Sequence, residues 1–178
     1  MTNRTQVREP FLGAAVFSQC QTYRYRLERP APAQAPGGPV LGFIMVKPST
    51  ADEWSDDQTI RMVRLFGSRH GYGRILVGNI SAYRSKDIDK LKDVTDPLGP
   101  ENDAHLERIM READQCYVAW GAEDKLPEPL RGRWREVVKI ADRVGCELYC
   151  LDHIAGDHPR HPQVLIYEGP NLLWRRRV

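Results

Sequence analysis

Hydrophobic and polar positions alternate early in the chain and then run together. From Ala14 to Leu27 two short extended segments, AAVFS and TYRYRLE, flank a polar turn at Gln19 to Gln21, which predicts an antiparallel hairpin at a sheet edge. Pro30 to Pro39 holds only alanine, glutamine, proline and glycine, so it reads as a mobile loop. Beyond it, Leu41 to Val46 is a continuous apolar run, the pattern of a strand buried on both faces. Three similar runs follow, Arg74 to Ile80, Cys116 to Trp120 and Cys146 to Leu151.

Helix-length segments separate these runs. The first begins near Asp57, places Ile60, Val63 and Phe66 at helical spacing and ends at Gly71 and Gly73. The second starts at Asn102 as N-cap and carries Leu106, Ile109, Met110 and Ala113 on one stripe. The third, Leu130 to Val144, shows Leu130, Trp134, Val137, Val138 and Ala141 on one face and stops at Gly145. A βαβαβαβ rhythm predicts an α/β, three-layer sandwich with a four-stranded parallel sheet and an N-terminal hairpin, in a single domain over residues 1–178. Ligands of such sheets bind beyond the carboxyl ends of the strands.

Composition narrows the partners. The 26 Lys+Arg against 24 Asp+Glu leave +2, which excludes a histone-like electrostatic binder. The longest apolar run, Val40 to Val46, is far below the roughly 20 residues a membrane span needs, and MTNRTQVREP has no signal-peptide core. A cytoplasmic monomer without membrane contact is expected. Cys20, Cys116, Cys146 and Cys150 form no C-x2-C pair, so free thiols, no metal and no cofactor are expected.

The strand ends carry the candidate chemistry. KPSTADEWSDD follows the first buried strand, NISAYR ends the second, WGAEDK follows the third, and DHIAGDHPRHP the fourth. This ordered series resembles a bacterial and phage domain family of uncharacterised function with an Asn-Pro-Ser-Thr-Ala-Asp signature. Pro48, Ser49, Thr50, Ala51 and Asp52 match it, followed by Asp56, Asp57, Thr59, Ile60 and Arg61. Asn79, Ala82, Tyr83 and Arg84 then match, as do Trp120, Gly121 and Pro159 to Pro162. Coverage runs from about Tyr23 to Tyr167.

More broadly, the motif order is similar to the uracil-DNA glycosylase superfamily. That resemblance implies hydrolysis of the N-glycosidic bond of an altered pyrimidine flipped out of DNA, in repair or in defence against phages with modified DNA. It implies Asn79 as base reader and His161 as the histidine serving the leaving base. Trp54 or Tyr83 would stack on the base, Ser49, Thr50, Arg84 and Arg160 would serve phosphates, and Pro48 is counted with them among the substrate-binding residues.

Lys47 stands where the closer family has Asn. Asp52, Asp56 and Asp57 are then candidates to position the water, with Asp52 the freest because Asp57 reads as a helix N-cap. Lys47 itself suits a phosphate or a base substituent, or a Schiff base if burial strips its proton. Trp120 reads as core, and Arg175, Arg176 and Arg177 as a solvated tail. The competing functions are a nucleotide-processing or base-modifying transferase in the same crevice, and a non-catalytic nucleic-acid module.

Overall fold

The computed structural model describes residues 13–30, 37–162 and 172–175. Strands β1 (Ala14–Phe17) and β2 (Arg24–Pro30) form the expected hairpin. Then come β3 (Val40–Met45), α1 (Gln58–Arg69), β4 (Arg74–Asn79), α2 (Asn102–Glu112), β5 (Gln115–Val118), α3 (Trp134–Val144) and β6 (Leu148–Cys150). Two-residue strands β7 (His153–Ile154) and β8 (His158–Pro159) pair as a small ribbon before β9 (Leu172–Arg175).

Among the described residues the main sheet is mixed, with seven strands in the order β1-β2-β4-β3-β5-β6-β9. β3 pairs in parallel with β4 and β5, and β5 with β6. The hairpin is not a separate appendage, because β2 pairs antiparallel with β4, and β9 closes the other side antiparallel to β6. The sheet is thus larger than the four-stranded parallel one expected, with antiparallel strands added on both sides of those four. Residues 31–36 of the expected mobile loop, and Arg176 and Arg177 of the tail, lie outside the described residues.

Alternation along the strands sorts side chains to two faces. Leu41, Phe43 and Met45 join Ile75 and Val77 under Ile60, Val63 and Phe66 of α1. Ile44, Leu76, Cys116 and Val118 pack on the other face against Leu106 and Ile109 of α2 and Val137 and Ile140 of α3. Gly78 sets how closely α2 approaches, since a Cβ there would sit 2.7 Å from Leu106 Cδ2. The order of crossovers makes β3 the switch point: the chain leaves it on one side for β4 and returns on the other as β5.

Two helix starts differ from expectation. Asn102 is not a cap but the first residue of α2, buried, with Nδ2 donating to the Asn79 carbonyl at 3.0 Å. α3 starts at Trp134 because Gly132 turns the chain at φ +74°, leaving Leu130 in a separate 3-10 turn. Asp57 is the N-cap of α1, its carboxylate accepting from Ile60 N at 2.9 Å.

Candidate functional site

A cleft of about 750 Å³ opens at the carboxyl ends of β3 and β5. Met45, Val46, Lys47 and Ser49 line it from β3 and its following loop, and Asp57, Gln58, Thr59 and Ile60 from the start of α1. Trp120, Gly121 and Ala122 line it from beyond β5, and Arg160 and His161 from the late loop. Arg24, Lys86 and Lys125 add cations.

Backbone ties fix these loops. Gly121 takes φ +80°, a left-handed conformation suited to glycine, and donates to the Pro159 carbonyl at 2.9 Å. A Cβ on Gly121 would stand 3.9 Å from the His161 Cβ, so the Trp-Gly turn and the His161 loop adjoin. Ser85 N donates to the Pro48 carbonyl at 3.1 Å, and Lys47 Nζ returns a bond to the Ser85 carbonyl at 2.5 Å. Pro48 is buried beneath this exchange and does not line the cleft.

Electrostatics follow from burial. Desolvation pulls the Lys47 ammonium below the ordinary lysine value, while Asp87 and Asp57 act in the opposite direction. The folded loops half-bury this lysine. His161 is lowered as well, by burial first and by the Lys47 charge second, which favours neutral imidazole. Arg24, 2 % exposed, is pulled by burial to about 10.

The structure brings Lys47, Ser49, Arg160 and His161 together and sets other candidates apart. Asp52 does not line the cleft: its Oδ1 accepts from Trp54 N, Ser55 N and Ser55 Oγ. Burial pushes that carboxyl up, but these donors outweigh it and hold it below the usual carboxylate value. Asp56 is taken by Arg29 and Arg64, each at 2.7 Å. Trp54 is 45 % exposed, away from the lining. Thr50, Tyr83 and Arg84 line a shallower groove that shares Ser49 and Lys86 with the cleft. There Tyr83 packs edge-on to Tyr23, and Arg84 lies 4.6 Å over the Phe17 ring. Arg160 Nε donates to Asp152 at 2.7 Å.

Asn79 is 1 % exposed and not part of the lining, although its register partner Met45 is. Neither amide atom of Asn79 has a hydrogen-bond partner among the described residues.

Arg24, Lys86 and Lys125 are cleft residues that sequence reasoning missed: no periodicity marks Arg24 as a cation that folding buries, and Lys86 and Lys125 stay exposed, where one lysine reads like any other. Trp120 is core, as expected, and also cleft wall. Among the described residues no cluster of His, Cys, Asp and Glu is arranged to hold a metal, and no helix is long and apolar enough to cross a membrane.

No curated protein and no solved structure gives a significant match to the chain. The model of the family described as protein of unknown function, DUF1643, matches residues 24–163, a span that takes in every residue lining the cleft, and the chain belongs to that family.

Proposed function

We propose that this protein is a monofunctional DNA glycosylase of uracil-DNA-glycosylase-like architecture, hydrolysing the N-glycosidic bond of an altered pyrimidine flipped into the cleft. The observation that carries the reading is the meeting of His161, Lys47 and Asp57 around one cleft at the sheet's switch point.

The bond breaks through an oxocarbenium-like sugar, so the site must stabilise a departing base anion and direct water at the anomeric carbon. Neutral His161 donates a hydrogen bond to the base oxygen as negative charge collects there. Asp57 takes over the water-positioning role for which Asp52 was the first candidate. One of its oxygens caps α1, and the other is left to hold the water. Trp120 supplies an aromatic wall for the base. Asn79 offers an unpaired donor and acceptor, the pair a base edge takes, to a base that reaches past Met45.

The test is incubation with duplexes containing uracil, hydroxymethylated or glucosylated pyrimidines, followed by hot alkali. Strand breaks at the altered base support the reading. Intact strands in all three duplexes reject it.

A further inference from the structure

Among the described residues three arginines are buried, and two of them have a carboxylate. Arg29, 0 % exposed, is paired with Asp56, and Arg133, 6 % exposed, with Asp103. Arg24 differs. Its Nη1 donates to the Ala51 carbonyl at 2.6 Å, its Nε is buried without a partner, and no carboxylate lies within ion-pair distance among the described residues. Asp57 and Asp52 favour its charge only at longer range. A buried cation without a counter-ion is costly, and this one forms part of the cleft wall.

The same wall contains the start of α1. Gln58, Thr59 and Ile60 line the cleft, and the first turn of this twelve-residue helix has no acidic side chain. Asp57 occupies the Ile60 amide alone, while the first N–H groups of a helix have no partner within it and carry the positive end of its dipole. Lys47 approaches from the β3 loop with one ammonium hydrogen on Ser85. Among the described residues, Arg24, Lys47, Lys86, Lys125 and Arg160 line the cleft and Asp57 is the one carboxylate that does, although Arg160 is paired with Asp152 and Lys125 with Asp124 outside it.

We propose that Arg24, Lys47 and the first turn of α1 form a binding site for a phosphate group of the substrate. Donors arrive from three separate elements, β2, the β3 loop and α1, which suits a tetrahedral oxyanion with several acceptor oxygens better than a planar carboxylate. In the glycosylase reading, on which this detail rests, the phosphate is the one next to the sugar that loses its base. Anion binding itself does not depend on that reading.

The test follows the Arg24 Nε–H resonance of the wild-type protein by ¹H–¹⁵N NMR during titration with inorganic phosphate, thymidine monophosphate, the dinucleoside phosphate TpT and thymidine. The three phosphates should shift it saturably, and thymidine or chloride of matched ionic strength should not. Lys47→Gln and Arg24→Met should each weaken binding about tenfold, the loss of one charge-assisted hydrogen bond. If Arg24→Met does not fold, Lys47→Gln and the wild-type resonance still decide the matter. An Arg24 resonance unmoved by every phosphate, or moved equally by chloride, overturns the site, even if base release from DNA is observed. Preference for the monophosphate over TpT, without base release from DNA, keeps the site and rejects the glycosylase reading.

Discussion

Arg29 Nε donates to Asp56 Oδ1 at 2.7 Å inside the protein, tying strand β2 to the loop that carries the cleft's β3 side. Further Arg29 bonds go to the carbonyls of Asp52 and Ser55, and Arg64 takes the second Asp56 oxygen. Asp56 is therefore a structural residue. Asp56→Ala should destabilise the fold by about 3–5 kcal/mol by stranding a buried guanidinium, and the joint change Arg29→Met with Asp56→Leu should recover most of that. Urea denaturation measures both. A loss below about 1 kcal/mol for Asp56→Ala would mean the pair is solvated.

Asp57 keeps the helix cap expected of it, and in the proposed mechanism it also takes the water-positioning role first considered for Asp52. Asn caps helices as well as Asp, so Asp57→Asn should leave the melting temperature nearly unchanged while cutting base release by about 10² or more. Asp52→Asn should leave turnover largely intact, because Asp52 faces its own turn. Parallel rate and melting measurements check this. A larger rate loss for Asp52→Asn returns the water to Asp52.

Much of this arrangement is legible in the chain. The hairpin, the buried strands and the helix at Asp57 follow from runs, alternation and capping. The strand-end rule leads to Lys47 and His161 without a structure. What escapes is long-range. β2 reads as a sheet edge, yet β1 on one side and β4 on the other enclose it, and Arg24 becomes cleft wall. Asp52 looks free in sequence because an aspartate that satisfies its own turn three residues on has the same letter as one facing a ligand.

His161 should titrate below its ordinary value of 6.5, through burial and the nearby Lys47 charge. Removing that charge in Lys47→Gln should raise the midpoint, and the imidazole resonances report both values. The sign for stability follows. At pH above 6.5 the group is neutral in folded and unfolded chains alike, whereas below it the unfolded imidazole takes a proton that the folded one resists. Its contribution to stability is thus lost as pH falls from 6.5 toward the folded midpoint. A midpoint above 6.5 would contradict the buried, neutral role.

Lys47 should give no covalent adduct. Burial lowers its affinity for the proton, but Asp87 and Asp57 oppose that and the ammonium holds the Ser85 carbonyl, so it remains a poor nucleophile. Borohydride added during reaction with DNA should trap nothing. A trapped protein–DNA adduct that disappears in Lys47→Ala would add a lyase step to the proposed glycosylase reaction.

The most direct measurement is mass spectrometry of products formed in ¹⁸O-water from duplexes carrying uracil, hydroxymethylated or glucosylated pyrimidines. Hydrolysis breaks the C1′–N bond, puts the water oxygen on C1′ and sends the base away with a proton. Free base from at least one duplex, an abasic sugar carrying ¹⁸O, and loss of both in His161→Ala with DNA binding retained are the predicted results. No free base from any duplex, or base release without ¹⁸O in the newly formed sugar product, would contradict the assignment of this cleft to glycosidic hydrolysis.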